Sequence, residues 1–385
     1  MNSRKYFESK EKISLIIQTT QKCNLRCKHC YEGNGGYLLP TMSHEVLEKI
    51  ISVAQKDYKE INYLWFGGEP LCAGIEFFHD VIELQKKYSN AHVIRNSIQT
   101  NGVLLDDAML EFFKQNDFRI SISYDCQYND CLRQDTAKTV DAISKCKNAG
   151  LNVGVLSVVH SINYRNQYDM FIELQKMGVS AKFNRIFAVG TAEKNLHLMI
   201  EDNSYFEEMK NLFIYWLHQK EAPMFPAFKV ILDTIFYHGT RECIYSGCLF
   251  KWLAFDPAGN MYTCPRFVGT KYCFGNVVNV EHLYDAFYSD QYVAITKEAI
   301  ARKERCKQEC DVYDYCHGGC NAIFYEHGDV SLNNSEFCDF NRAYFPFVIK
   351  TLKEEIYNNF ENINASVKQM YISRKEIFDQ VFSKY

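Results

Sequence analysis

Three cysteines near the start of the chain have a spacing that suits iron–sulfur chemistry. Cys23, Cys27 and Cys30 follow the pattern C-x3-C-x2-C. Three thiolates can hold three corners of a 4Fe-4S cluster, for which proteins usually supply four cysteines. The fourth iron then stays open to another ligand, as one position of a catalytic zinc does. Unrelated buried thiols are the alternative, but the close spacing favours a cluster that is also a reaction site.

A second group of cysteines lies in the C-terminal half, where nine fall between Cys243 and Cys338. Hydrophobic periodicity fades in this part, and loop-rich segments need cross-links, which metal clusters can supply. Zinc sites with four cysteines also use close cysteine pairs and are the alternative. Because disulfides are rare in the reducing cytosol, the sixteen cysteines of the chain indicate metal or redox chemistry.

The overall composition favours a folded protein that binds neither nucleic acid nor membrane. Of the 385 residues, 47% are hydrophobic and 23% are charged, which is ordinary for a chain with a sizeable core. The net charge of −4 gives no basic footprint for nucleic acid. No apolar run reaches the roughly eighteen residues that span a bilayer. The polar N-terminus lacks the apolar stretch of a signal peptide, so we expect a cytoplasmic protein.

Strand-like and helical segments alternate about six times along the first half of the chain. This alternation predicts an α/β fold with βαβ crossovers, a parallel sheet and a partial (β/α)6 barrel. Barrel enzymes place their chemistry on the loops that follow the strands, where the cysteine loop, Gly67-Gly68-Glu69 and Asn101-Gly102 all fall. The predicted strands are 14–19, 61–66, 93–100, 118–123, 151–160 and 181–187; the predicted helices are near 43–54, 75–87, 106–115, 136–149, 166–177 and 203–220, with further helix from 341 to 385.

The segment Gly67-Gly68-Glu69 takes its meaning from its position. Glycines allow a ligand to approach the backbone, and a carboxylate beside them suits an amino group, although after a lone strand the segment would be an ordinary turn. Here it follows the cysteine pattern by about forty residues. The two patterns together make the first 220 or so residues resemble the radical S-adenosylmethionine (SAM) superfamily. The resemblance implies that SAM chelates the open iron and is cleaved to a 5′-deoxyadenosyl radical, which abstracts hydrogen from carbon.

The resemblance also assigns individual residues to a SAM site. Cys23, Cys27 and Cys30 match the ligands of the SAM-binding cluster, while Gly68 and Glu69 match the segment that binds the methionine amino group. For Ser123, Arg133 and Ile186, which are assigned next, an ordinary structural role remains the alternative. The remaining assignments are His29 against the adenine, Ser123 in the S-x-D segment Ser123-Tyr124-Asp125, Arg133 toward the SAM carboxylate, and Ile186 as a backbone contact to the adenine.

The C-terminal cysteines resemble the SPASM domain, which carries two auxiliary 4Fe-4S clusters in radical SAM enzymes that mostly modify peptides. The upstream radical SAM pattern favours these clusters over zinc, and brings the expected total to three 4Fe-4S clusters. Two spacings depart from the commonest form, Cys306-x3-Cys310 and Cys243-x4-Cys248. By matching position, one cluster would be held by Cys243, Cys248, Cys264 and Cys320, and the other by Cys306, Cys310, Cys316 and Cys338.

These resemblances divide the chain into three segments. Residues 1–235 form the predicted radical SAM partial barrel, 236–345 the loop-rich SPASM domain, and 346–385 a C-terminal helical segment. Five cysteines stay outside the predicted clusters. Cys146 suits a helix core, Cys72 suits the core or the surroundings of SAM, Cys126 and Cys131 flank a loop beside the predicted SAM site but are favoured to have no role, and Cys273 has no assignment.

One position departs from the sulfatase-maturing members that the sequence resembles. Those enzymes have a catalytic aspartate, acting as a base, near the cysteine that matches Cys264. In this chain Pro265 follows that cysteine and cannot accept a proton, and Arg266 comes next. The departure weakens the hypothesis of a sulfatase maturase.

The favoured prediction is a radical SAM oxidoreductase that forms a thioether or carbon–carbon crosslink in a ribosomally made peptide. The auxiliary clusters would accept an electron or bind a substrate thiolate, and a flavodoxin or ferredoxin would supply reducing electrons. A sulfatase-maturating enzyme that forms formylglycine from cysteine or serine is the first alternative. A non-catalytic iron–sulfur electron carrier is the second, and it would have no need of an open iron.

Overall fold

The predicted sheet is present and is larger than the alternation alone implies. The computed structural model describes residues 11–33, 41–91, 93–237, 243–246, 248–326 and 335–385. Its strands are β1 (Lys12–Gln18), β2 (Glu60–Phe66), β3 (Val93–Thr100), β4 (Arg119–Ser123), β5 (Val153–Val159), β6 (Ser180–Arg185), β7 (Trp252–Phe255) and β8 (Met261–Tyr262). They form one sheet in the order β6-β5-β4-β3-β2-β1-β7-β8.

The first six strands follow one another across the sheet in chain order, which confirms the partial (β/α)6 barrel. Strands β1 to β5 pair in parallel, each with the next. The extension beyond β1 was not predicted: β7 pairs in parallel with β1, and β8 returns antiparallel to β7. The helices that connect or follow these strands are α1 (His44–Asp57), α2 (Ile75–Lys87), α3 (Asp107–Gln115), α4 (Asn129–Leu132), α5 (Thr136–Asn148) and α6 (Gln167–Lys176).

The helices begin where the sequence places capping residues. The side-chain oxygen of Ser43 accepts from the Val46 N–H at the start of α1, the helix predicted near 43–54. Asp106 caps α3 in the same way through the Met109 N–H. Helix α1 buries Leu47, Ile50, Ile51 and Ala54, the apolar face that the 3.6-residue period indicates.

Each central strand buries one face under the helices and leaves the other half-exposed. Along β2 the rings of Tyr63 and Trp65 stack at 5.5 Å and are fully buried. The Trp65 Nε1–H donates to the buried Asn96 side chain over 2.9 Å, which satisfies its polar atom. The opposite faces of β3 and β4 carry half-buried polar side chains such as Gln99 and Ser123. This polar face is therefore available to a ligand at the ends of the strands.

The described residues divide into two compact units. The first contains the sheet and is drawn from 1–158, 174–196 and 248–297. The second is helical and is drawn from 159–173, 197–247 and 298–385. The three sequence segments proposed above remain a prediction. The later helices are α7 (Asp202–Leu217), α8 (Pro226–Phe236), α9 (Cys243–Ser246), α10 (Asp290–Glu309), α11 (Tyr313–Cys316), α12 (Asn321–Glu326), α13 (Glu336–Asn358), α14 (Ala365–Ser373) and α15 (Lys375–Phe382).

Aromatic side chains fill the core of the second unit. Phe213 and Trp216 on α7 pack against Phe228 on α8, with ring centroids 5.1 and 5.2 Å apart. Phe236 stacks on Phe378 of α15 at 3.7 Å. No helix within the described ranges is long and apolar enough to cross a membrane.

Candidate active site and cluster-binding residues

The loop after β1 brings the three N-terminal cysteines together. The Leu25 N–H donates to Cys23 Sγ over 3.4 Å, and the Cys30 N–H donates to the Cys27 carbonyl over 3.3 Å. Burial raises the pKa of Cys23 to about 11 and that of Cys30 to about 12, and negative charge on Cys27 adds to both shifts. The three thiols are thus close neighbours, which fits three ligands of one cluster. Each must lose its proton when iron binds.

The two glycines after β2 allow close contact between their loop and the cysteine loop. A Cβ on Gly68 would lie 2.5 Å from the carbonyl oxygens of Gln21 and Lys22, and one on Gly67 would collide with the Thr20 carbonyl oxygen. The Gly68 N–H donates to Thr20 O over 2.9 Å. Only glycine permits this approach, so its presence here is explained by the joining of the two loops.

Glu69 ties this junction to the loop after β3. Its Oε1 accepts from the Leu71 N–H at 3.1 Å and from the Thr100 hydroxyl at 2.6 Å, and its Oε2 accepts from the Asn101 N–H at 2.8 Å. The Asn101 side chain in turn donates to Asn24 in the cysteine loop over 2.8 Å. Burial raises the pKa of Glu69 to about 7. The three predicted functional loops therefore meet at one end of the sheet.

A buried ion pair approaches the cysteine loop from the end of β4. Arg133 Nε donates to Asp125 Oδ2 over 2.7 Å, and Asp125 Oδ1 accepts from the Val158 N–H at 2.7 Å. Burial alone would raise the pKa of Asp125, but the Arg133 guanidinium and these hydrogen bonds hold it below its ordinary value. Arg133 also hydrogen-bonds Cys27 through its side chain. A fixed guanidinium beside the cluster ligands suits an anionic group such as a ligand carboxylate.

The other predicted SAM contacts lie around the same loop. His29 is buried within electrostatic range of Asp125. Ser123 ends β4 and accepts from the Gln99 side chain over 2.9 Å. Ile186 is buried directly after β6. The segment that follows it also reaches the cysteine loop, because the Thr191 N–H donates to the Cys30 carbonyl over 2.8 Å.

Sequence reasoning missed three groups that hold this site together. Asp125 orients Arg133, although the S-x-D segment that contains it was recognised. Asn101 and Asn24 link two loops that are far apart in the chain. The turn signal at Asn101-Gly102 marked that position but gave no partner for its side chain.

The second unit gathers the four cysteines predicted for one auxiliary cluster. Burial raises the pKa of Cys316 to about 12, and negative charge on Cys338, Cys310 and Cys306 adds to the shift. Cys306 and Cys310 lie one helical turn apart, joined by the Cys310 N–H and the Cys306 carbonyl at 2.9 Å. His317, Gly318 and Gly319 all have left-handed φ angles and reverse the chain directly after Cys316.

The other predicted auxiliary set is divided between the two units. Cys248 and Cys264 belong to the first unit, whereas Cys243 and Cys320 belong to the second. This ligand set therefore stays a prediction. No three His, Cys, Asp or Glu side chains of the described residues are grouped so as to hold a single metal ion. A four-iron cluster does not require such a group, because each cysteine binds a different iron.

The unassigned cysteines differ in their surroundings. Cys146 is fully buried on α5, as predicted for a core residue. Cys72 lies close enough to Cys23 to affect its pKa. Cys126 is buried with a left-handed φ of 52°, and Cys131 is exposed. Cys273 donates to the Gly275 carbonyl over 3.5 Å.

Comparison with protein families matches the region that holds these loops. Residues 17–174 match the model described as the Radical SAM superfamily. A cysteine-type anaerobic sulfatase-maturating enzyme of Clostridium perfringens is 24% identical over 363 residues, which cover 88% of this chain and 97% of the relative. The match therefore extends through the cysteine-rich C-terminal region.

Solved structures share the fold. Native anSMEcpe with bound AdoMet and Cp18Cys peptide matches with a TM-score of 0.77 and 24% identity, covering 90% of this chain and 99% of that chain. Streptococcus suis SuiB bound to precursor peptide SuiA matches with a TM-score of 0.61 and 14% identity, covering 87% and 78%. At these sequence identities the similarity establishes the fold alone.

Proposed function

We propose that this chain, whose residues 17–174 match the Radical SAM superfamily, is a maturase that oxidises a cysteine or serine of a protein substrate to formylglycine. The observation that carries the proposal is the meeting of the cysteine triad, Glu69 and Arg133 at one end of the sheet. The choice of product is supported by the likeness to a sulfatase-maturating enzyme over nearly the whole of both chains.

The cofactors of the radical SAM domain are SAM and a 4Fe-4S cluster, and the cysteine-rich C-terminal region fits auxiliary clusters. When bound, SAM and its cluster supply a radical that abstracts hydrogen from carbon. In our proposal Cys23, Cys27 and Cys30 hold the cluster and leave one iron open. Glu69 would accept a hydrogen bond from the SAM amino group, and Arg133 would pair with the SAM carboxylate.

The remaining assignments place the adenosine part of SAM. His29 would lie against the adenine, the backbone of Ile186 would contact the same ring, and Ser123 would offer its hydroxyl from the end of β4. All three lie on or beside the loops that Glu69 and Arg133 connect.

A peptide crosslink, which the sequence favoured, has weaker support than formylglycine formation. The structure of SuiB bound to precursor peptide SuiA resembles this chain, but at 14% identity the resemblance is one of fold alone. The sulfatase-maturating relative, by contrast, matches along nearly its full length. The hypothesis of a non-catalytic electron carrier is not retained, because the chain contains a radical SAM domain.

Pro265 is the feature that separates this chain from the sulfatase-maturing pattern. It follows Cys264 and opens the turn Pro265–Phe267. The next residue, Arg266, lies 3.5 Å above the Phe187 ring, which fixes the turn beside the end of β6. Since proline carries no side-chain acid or base, the substrate proton must pass to a different group from the aspartate that the family resemblance implies.

The same proposal covers the partners. The substrate is a peptide segment of a protein, and a flavodoxin or ferredoxin in the cytoplasm supplies electrons. Oxidation of the substrate radical releases one further electron, which the auxiliary clusters of the C-terminal region would accept. Electron acceptance needs no open iron, in keeping with full cysteine ligation of those clusters.

The test is product formation by the anaerobically reconstituted chain with dithionite, SAM and peptides that carry the sulfatase motif with cysteine or serine. We expect 5′-deoxyadenosine together with an aldehyde at the target residue. Cys30→Ala should abolish both products, whereas Cys146→Ala, which removes a core thiol outside the site, should retain them. Formation of 5′-deoxyadenosine with a crosslinked product would restore the crosslink hypothesis. If no peptide yields 5′-deoxyadenosine, the catalytic proposal is refuted.

A further inference from the structure

Arg302 is a buried cation in the cysteine-rich part of the second unit. Its side chain is 0% exposed. Nη2 donates to the Asn321 side-chain oxygen over 2.6 Å, and the guanidinium carbon lies 3.7 Å from the centroid of the Phe324 ring. Nε and Nη1 have no hydrogen-bond partner within the described part of the chain. Two nitrogen atoms of Arg302, which carry three N–H groups between them, are thus left for a group outside the described side chains.

The elements around Arg302 also carry the cysteines. Cys306 follows it by one turn of α10 and lies on the same side of that helix. Cys320 directly precedes the Asn321 that holds the guanidinium. The Phe324 ring contacts the Phe337 ring at a centroid distance of 6.4 Å, and Cys338 comes next in the chain.

The loop after Cys316 packs closely on the side chain of Lys303. A Cβ on Gly318 would lie 2.7 Å from the Lys303 side chain, so the loop after Cys316 packs directly on α10 beside Arg302. Burial lowers the pKa of Arg302, and negative charge on Cys306, Cys320, Cys338 and Cys316 acts against that shift. These four sulfur atoms are therefore the anionic groups nearest in effect to the guanidinium.

A buried guanidinium costs free energy unless an anion compensates it. Arg302 has no carboxylate partner among the residues that the structure describes. Neutral thiols do not provide the missing charge, whereas thiolates bound to iron carry it permanently. The burial of Arg302 is explained if the cysteines around it hold a metal cluster.

We propose that Arg302 is the internal counter-ion of the auxiliary cluster held by Cys306, Cys310, Cys316 and Cys338, with Nε and Nη1 available to its sulfur atoms. The inference rests on the auxiliary-cluster part of the proposed function. Reduction adds negative charge to a cluster, so a fixed cation nearby stabilises the reduced form more than the oxidised form. Arg302 therefore raises the reduction potential of this cluster, since charge and hydrogen bonds to sulfur set that potential.

The test uses the full chain with Cys23, Cys27 and Cys30 replaced by alanine, so that only auxiliary clusters contribute. Iron and sulfide are counted, and a redox titration followed by electron paramagnetic resonance gives the midpoint potentials. Arg302→Gln should lower the midpoint potential of the cluster held by Cys306, Cys310, Cys316 and Cys338 more than that of the other auxiliary cluster, to which Cys320 is assigned. Arg302→Lys should stay near the parent value because it keeps the charge.

Arg342 provides the matched control. It hydrogen-bonds Cys310 and is affected by Cys338, but its side chain is 44% exposed. Solvent screens an exposed charge, so Arg342→Gln should shift the potential less than Arg302→Gln.

If Arg302→Gln loses one cluster while Arg302→Lys retains both clusters, the counter-ion role of Arg302 would also be supported. Full iron content with unchanged potentials in Arg302→Gln would overturn it, as would equal iron loss in both variants. The iron count of the parent, about eight for two clusters, separately tests the auxiliary clusters. If the parent holds no iron, both the auxiliary clusters and the counter-ion role of Arg302 are overturned. If the parent holds about eight irons but the variants show no shift in potential, only the role of Arg302 is overturned.

Discussion

Glu69 does two things with one carboxylate. It accepts three hydrogen bonds from two loops, and it places a titratable group with a pKa of about 7 beside the cysteine triad. The raised pKa follows from burial, which disfavours the charged form. An amino group bound to iron, donating its N–H to the carboxylate, would offset that cost. Because Glu69 is buried, its negative charge is weakly screened by water and interacts strongly with a positively polarised group bound beside it.

Binding of SAM should depend on pH through Glu69. The ionised carboxylate is the better acceptor for the N–H groups of the SAM amino group, which iron polarises, so affinity should rise by about tenfold between about pH 6 and about pH 8, across the pKa. Glu69→Gln should bind SAM weakly and lose this dependence. Equilibrium dialysis of the cluster-loaded protein measures both effects, with Glu111→Gln on the surface of α3 as the control. An equally steep pH profile in Glu69→Gln would argue against this role.

The Asp125–Arg133 pair should matter for stability as well as for binding. Arg133→Gln leaves a buried carboxylate without its cation, and we expect a loss of about 3 kcal/mol or more in unfolding free energy. Because the pKa of Asp125 is lowered in the folded state, the pair stabilises at neutral pH and the effect is lost as pH falls through that lowered value. Urea unfolding of anaerobic protein at neutral and acidic pH measures it.

The exposed pair of Lys145 and Asp141, 3.0 Å apart on α5, is the matched control. Asp141→Asn should cost less than about 0.5 kcal/mol, since exposed pairs contribute little. If Arg133→Gln costs no more than this control, the buried pair is not structural. What the sequence lacked here was the partner: the family resemblance indicated Arg133, but the contact with Asp125 depends on how the chain turns after β4.

Among the elements, the loop after β2 depends on having no side chain at Gly68. We predict that Gly68→Ala displaces the cysteine loop, because its Cβ would lie 2.5 Å from two carbonyl oxygens. The variant should lose the N-terminal cluster, about four irons per chain. Gly74→Ala is the control, since Gly74 has a φ of 85° but no atom within 4 Å of an added Cβ. It should keep its iron while losing about 1 kcal/mol from backbone strain. Iron analysis and unfolding measurements distinguish the steric collision in Gly68→Ala from the backbone strain in Gly74→Ala. A full complement of N-terminal cluster iron in Gly68→Ala would contradict the close contact between the two loops.

The element scale also shows where sequence patterns suffice. Strands β1 to β5 were predictable because each is a short run of continuous or alternating apolar residues between helical segments, whereas β6 (Ser180–Arg185) was predictable from its place in the alternation. The edge hairpin of β7 and β8 was not, since Trp252–Phe255 is four residues long and its partner β1 lies more than two hundred residues earlier. Periodicity reports local structure, whereas this pairing depends on contacts distant in sequence. The burial of Arg302 was hidden for the same reason.

On the scale of the whole molecule, two groups of cysteines have separate structural settings. The N-terminal triad lies in one loop of the sheet-containing unit. Cys306, Cys310, Cys316 and Cys338 lie within the helical unit, around a buried arginine. Radical initiation and electron acceptance can therefore be assigned to different parts of the chain. This division predicts that each can be removed while the other remains.

The expected iron content is about twelve per chain, from three four-iron clusters. Replacing Cys23, Cys27 and Cys30 by alanine should leave about eight irons and abolish SAM cleavage. The variant that replaces Cys306, Cys310, Cys316 and Cys338 together by alanine should also leave about eight irons. It should still cleave SAM to 5′-deoxyadenosine, but yield less oxidised peptide for each SAM consumed, because the electron acceptor is lost. Iron assay with chromatography of both products measures this ratio. Equal loss of SAM cleavage in the two variants would mean that the helical unit's cluster is needed for initiation, and the division of roles would be wrong.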